Sequence, residues 1–190
     1  EALFLPSTLK SIEYKAFNHC RSLRLSILPN GINLSNDGNG IIENTVIYQI
    51  SAAAGVQYED EIDYIDHLTA ESSRQVNEWL IHHMDDSPFH KLCYTSSITT
   101  KPISDYLIEN GNDSALQIDP IHGMTPLHML SMNPHARVET IGALLDSNTQ
   151  TVFCLDKQEQ SPLDYARNYN VGGLVGMVAG LCNHRNSSVL

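Results

Sequence analysis

Three short motifs constrain this chain more tightly than any bulk property: Ser-Pro-Phe-His at 87–90, Thr-Pro-Leu-His at 125–128 and Ser-Pro-Leu-Asp at 161–164. Each opens with a side-chain oxygen able to accept from the free amides of a helix's first turn. Each continues with proline, which needs no N–H at the first helical position and already holds a helical φ. The starts, Ser87, Thr125 and Ser161, are separated by 38 and 36 residues. Three helix starts at near-equal spacing predict a repeated helical unit.

Two apolar helical stretches follow each start. In the first unit Phe89, Leu92 and Cys93 form an inner stripe, and Ile103, Tyr106 and Leu107 recur before Asn110-Gly111. The second unit runs Leu127, Leu130, Val138, Ile141, Leu144 and Leu145. The third runs Leu163, Tyr165 and Ala166, then Val171, Leu174, Val175, Val178 and Leu181. Helix, turn, helix is the recurring order.

From Asp119 the chain reads Asp-Pro-Ile-His-Gly-Met-Thr-Pro-Leu-His-Met-Leu, which resembles the ankyrin pattern Asp-x-x-Gly-x-Thr-Pro-Leu-His-x-Ala. The resemblance covers 85–182 and implies a mainly α, ankyrin-repeat helical solenoid of about three units. An ankyrin period is about 33 residues, so the extra length is expected in the loop joining each pair of helices. By resemblance, Thr125 and His128 brace adjacent turns through hydrogen bonds, and Ser87 and His90 have a similar role. Pro88, Pro126, Leu127, Pro162 and Leu163 complete the structural motif with Ser161. The third unit departs from the pattern, with Asp164 in place of His and Glu159 where Gly is usual.

The resemblance implies a non-catalytic scaffold or adaptor that binds another protein. Stacked repeats offer a concave surface made of turn tips and first helices. The expected partner-contacting positions are Ile121, His122 and Met124 in one turn, and Lys157, Gln158 and Gln160 in the next.

A second period marks the N-terminus. Leu5-Pro6-Ser7 is echoed 23 residues later by Leu28-Pro29-Asn30, with Leu9, Ile12, Ala16, Phe17, Cys20, Leu23, Leu25 and Ile27 between them. That spacing suits a coil whose apolar residues stack on those of the next coil. It resembles the BspA-like class of leucine-rich repeats over about one and a half repeats, ending near residue 34. A single coil cannot bury its own apolar face. Further coils upstream are therefore expected, or this is a decayed remnant; the start at Glu1 rather than Met suggests a fragment. The combination also resembles leucine-rich-repeat and ankyrin proteins abundant in diatoms.

Residues 35–67 read as a linker. Within or beside it are a Gly/Asn/Asp-rich loop at 31–40, a helix at 44–54 ending at Gly55, and acidic residues Glu59, Asp60, Glu61, Asp63 and Asp66. Whether 44–55 is a degenerate repeat is left open by the sequence. A capping box of Ser72 with Gln75 then opens a helix with Val76, Trp79, Leu80 and His83 on one stripe, suited to cover the open end of the repeats. Capping helix and repeats together span 68–182, and 183–190 reads as a tail.

The net charge of −11 argues against a nucleic-acid partner and an anionic membrane surface, and suits a basic one. The longest apolar run, 171–182, is about half of a membrane-spanning helix. Its Gly172, Gly176 and Gly180 recur every four residues and suggest close packing on a neighbouring helix, with self-association through the last helix as the alternative. Cys20, Cys93, Cys154 and Cys182 are widely spaced and read as buried and reduced, which fits an intracellular, cytoplasmic location. His82-His83 point about 100° apart on a helix, and Cys182-x-His184 has no second pair at zinc-finger spacing, so no metal is expected. With no nucleophile elbow and no phosphate-binding glycine loop, neither cofactor nor catalysis is expected. Two other roles fit the same residues: a structural cap on a longer leucine-rich solenoid, or a regulatory domain of a larger enzyme.

Overall fold

In a computed structural model of the chain, the described residues are 1–13, 15–29, 31–32, 41–56 and 70–187, the side chains of 70–73 and 186–187 excepted. They are mainly helical, with eight α-helices and one two-stranded sheet. The expected loop from residue 33 onward and the acidic stretch at 59–66 lie outside the described residues. Two compact units result, Glu1–Asp85 and Asp86–Leu190.

The first unit begins as a coil. Strands β1 (Ala2–Leu3) and β2 (Leu25–Ser26) pair in parallel, Ala2 opposite Leu25 and Leu3 opposite Ser26, which is the 23-residue step of the Leu-Pro echo. A further layer stacks on 17–23. The amides of Phe17 and His19 donate to Ile41 and Glu43, and the Ile47 amide donates to Leu23, each pair 24 positions apart. From turns at 41–44 this layer then becomes α1 (Val46–Ala53), whose N-cap Thr45 accepts from the Tyr48 amide at 3.2 Å. Gly55, at φ +91°, ends it as the sequence suggests.

Helix α2 (Ala70–His82) differs from expectation in two ways. Ser72 lies inside it rather than at its cap. Its Val76 and Leu80 belong to the apolar cluster of Ile12, Leu23, Leu28, Ile32, Ile41, Ile42 and Ile47, so its apolar face serves the first unit. The Leu80 carbonyl also accepts from the Leu28 amide at 3.1 Å, supplying a partner that one coil alone lacks.

The second unit holds three helix pairs: α3 (Pro88–Cys93) with α4 (Thr100–Asn110), α5 (Pro126–Met132) with α6 (Val138–Ser147), and α7 (Pro162–Tyr169) with α8 (Val171–Ser187). The first helices pack in the row α3, α5, α7, and the second helices in the row α4, α6, α8. Each proline of the three motifs opens its first helix as expected. The joining loops shorten along the chain, from 94–99 to 133–137 to Asn170 alone. The other connections carry 3-10 turns at Asn112–Leu116 and Thr149–Phe153.

All seven residues of α5 are buried. The middle first helix therefore offers no side chain to a partner, unlike the open concave face that the resemblance implies.

Helix α8 runs on to Ser187, into the expected tail. It packs on α6 through Gly173, Gly176 and Gly180, at helical spacing three and four, not through Gly172. A Cβ on Gly173 would lie 2.4 Å from Ile141 Cδ1, on Gly176 2.6 Å from Val138 Cγ1, and on Gly180 2.8 Å from Leu145 Cδ2. Val171, Val175 and Val178 of the third apolar stretch are exposed, because the glycine edge takes the packed side. Among the cysteines only Cys93 is buried; Cys20 and Cys182 are exposed, Cys154 is half-buried, and all four thiols are free.

Candidate functional site

The turns before α5 and α7 share one hydrogen-bond scheme. Asp119 accepts from the amides of Ile121, His122 and Met124 at 3.0, 2.7 and 2.7 Å. Asp156 accepts from the amides of Gln158 and Gln160 at 2.8 and 2.9 Å, and from the Tyr165 hydroxyl at 2.6 Å. A carboxylate receiving several amides folds the loop onto itself without help from a sheet. Each turn then needs one residue in the left-handed region. Gly123 fills it in the first turn at φ +73°, and Glu159 in the second at φ +60°.

The two turns lie side by side. The Lys157 amide donates to the His122 carbonyl at 3.2 Å, and its ammonium donates to the carbonyls of Pro120 at 2.5 Å and Ile121 at 3.0 Å. Gly123 makes room for this, since a Cβ there would meet Lys157 Cγ at 2.8 Å.

Histidines tie α3 and α5 to the turn that follows each. His128 Nδ1 accepts from the Thr125 amide at 3.0 Å and lies 2.8 Å from the Thr125 hydroxyl, so its proton sits on Nε2, which donates to the Gln160 carbonyl at 3.1 Å. His90 Nε2 donates likewise to the Met124 carbonyl at 2.8 Å. Burial lowers the pKa of both. The Met124 carbonyl and Asp119 oppose it at His90, and the Gln160 carbonyl, Asp156 and Asp119 oppose it at His128.

Ser87 departs from its expected role: its side chain makes no cap bond, its ψ of 62° having left the extended shape of the other two caps. In the third motif the cap is self-contained. Asp164 accepts from the Ser161 amide at 3.0 Å and hydroxyl at 2.6 Å, and these bonds hold its carboxyl below the usual carboxylate range.

A second tie runs in the opposite direction. Asn133 donates to the carbonyls of Cys93 at 3.0 Å and Thr95 at 2.8 Å, and Asn170 donates to those of Asn133 and Ala136, both at 2.9 Å. Sequence reasoning missed this pair, although Asn133 and Asn170 recur 37 residues apart, as do Asp119 and Asp156.

The expected partner positions divide. His122 and Met124, expected at exposed turn positions, are buried at 4% and 5% exposure, because the second turn folds over the first. Ile121, Gln158 and Gln160 are half-buried, and Lys157 is exposed with its ammonium held by the neighbouring turn. Pro120 and Glu159 are exposed and complete the tip. In the first unit, His82 lies 2.7 Å from Asp85, whereas the His83 ring stacks on Trp79, so the adjacent pair diverges.

Among the described residues no helix is long and apolar enough to cross a membrane, and no three His, Cys, Asp or Glu side chains gather into a metal-holding group. No family model matches the chain, and no curated protein or solved structure matches it either.

Proposed function

We propose that this chain is a non-catalytic protein-interaction module, a scaffold or adaptor, whose second unit is built on the ankyrin pattern. The observation that carries this reading is the pair of interlocked turns. Their backbones are fixed by Asp119, Asp156 and the Lys157 amide, while Pro120, Ile121, Gln158 and Glu159 remain at least partly open to solvent. A surface held this way loses little entropy when a partner docks, which is what recognition by turn tips requires. The buried α5 confines the surface to the tips and excludes the middle of the first-helix row.

The test replaces Gln158 and Glu159 with arginine and compares protein capture from native lysate, with thermal unfolding as control. Loss of a specifically captured protein at unchanged melting supports the reading. Undiminished capture moves the binding face elsewhere.

One observation favours a second reading. The layer at 41–47 stacks on 17–23 and then turns helical. That is how a leucine-rich solenoid would be closed, and the first unit would then be a structural cap.

A further inference from the structure

On the second unit, the loops joining the helices form a groove independent of the turn tips. Its cavity of about 590 Å³ is lined by Ser96, Ser97, Ile98 and Thr99 of one loop with Thr100 at the start of α4, and by His135 and Arg137 of the next loop with Glu139 and Thr140 at the start of α6. A volume of that order holds a small ligand or a few residues of a peptide.

Most donor side chains of the lining are unused by the described residues. Thr100 and Thr140 bond each other at 3.1 Å. The hydroxyls of Ser96, Ser97 and Thr99, the His135 ring and the Arg137 guanidinium make no side-chain hydrogen bond or ion pair with any described residue. The chain has twice as many acids as bases, 22 against 11, so an arginine without a carboxylate here is set against the general trend. The single acid in the wall is Glu139. The helices entering the groove reinforce this character: Thr99 and Arg137 hold the cap positions of α4 and α6, and neither side chain caps its helix.

We propose that this groove is an oxyanion site that takes a phosphomonoester, with Arg137 as the charged anchor and the hydroxyls of Ser96, Ser97 and Thr99 as neutral donors. A planar guanidinium matches the oxygens of a phosphate in a bidentate fork, and hydroxyls can rotate to meet those that remain. The site rests on none of the residues invoked for the turn surface, so either assignment can fail alone.

The test titrates the full chain with inorganic phosphate, O-phosphoserine and a short phosphoserine peptide, following backbone amide shifts by NMR. The expected result is saturable movement of the amides around 96–100 and 135–140, with a dissociation constant of about 1 mM or tighter for the phosphoserine peptide. Arg137→Gln should weaken binding about tenfold, and Glu139→Gln should strengthen it about threefold by removing the like charge. Arg137 is exposed, so its loss leaves the fold intact, which the unchanged spectrum elsewhere verifies. Free phosphate binding as tightly as the peptide assigns the site to a soluble phosphate ester; preference for the peptide assigns it to a phosphorylated protein. Non-saturating shifts, or shifts unaffected by Arg137→Gln, overturn the proposal.

Discussion

Replacing Gly173 with alanine tests the α6–α8 contact with an internal control one residue away. At Gly173 the new Cβ would stand 2.4 Å from Ile141 Cδ1 and 3.1 Å from Asn170 Cγ. Ile141 is fully buried, and Asn170 holds the carbonyls of Asn133 and Ala136, so neither retreats without breaking another contact. Overpacking of this kind costs about 1–3 kcal/mol. Alanine returns about 1 kcal/mol through helix propensity, leaving a net loss of about 1–2 kcal/mol. At Gly172 the nearest atoms are Asn170 Oδ1 at 3.7 Å and Val138 Cγ2 at 4.0 Å, which is ordinary contact. There alanine keeps the propensity gain and should stabilise by about 0.5–1 kcal/mol. The two variants differ by one position and should differ in sign. Urea unfolding by far-UV circular dichroism reads this as opposite displacements of the midpoint at constant m-value. A Gly173→Ala variant as stable as the parent would refute the close approach of the two helices.

Glu159→Gly should stabilise by about 0.5–1 kcal/mol, since it removes a side chain from the left-handed region at the expense of some unfolded-chain entropy; a lower melting temperature would contradict that turn geometry. Asn133→Ala should cost about 2–4 kcal/mol in chemical denaturation, because it strands the carbonyls of Cys93 and Thr95; a change below about 0.5 kcal/mol would mean that the tie carries nothing. The histidines make the second unit acid-sensitive. Their folded pKa values lie below the ordinary value of about 6.5, so the unfolded chain binds protons more readily; stability is retained above that pH and lost as pH falls below it. Melting temperatures followed downward from neutral pH should decline less steeply in a His90→Gln, His128→Gln double variant, and an unchanged slope would assign the loss to other groups.

Ser/Thr at 87, 125 and 161, each followed by Pro at 88, 126 and 162, made the helix starts legible because cap and first-turn chemistry is local. The 23-residue echo likewise gave the pairing of Ala2 with Leu25, since coil spacing follows directly from sequence spacing. Burial was harder to read. His122 and Met124 look like turn residues in sequence, and only the stacking of a second turn 37 residues later puts them inside. The same holds for Val171, Val175 and Val178: apolar side chains ordinarily mark the packed face, but here glycine takes it and leaves the valines outside. The direction in which α2 faces also depended on tertiary contacts that its periodicity could not contain.

Asp164 gives the helix-pair series a direction. His90 and His128 each donate to a carbonyl in the following turn, whereas Asp164, as a carboxylate, can only accept and spends itself on Ser161. The three repeat units, α3–α4, α5–α6 and α7–α8 with their turns, are therefore not interchangeable parts. A copy of the third unit inserted ahead of the second would arrive without a donor for its new neighbour, and the junction would be held by apolar contact and the asparagine tie alone. Lengthening this protein by duplication would succeed with the second unit as template and strain at the seam with the third.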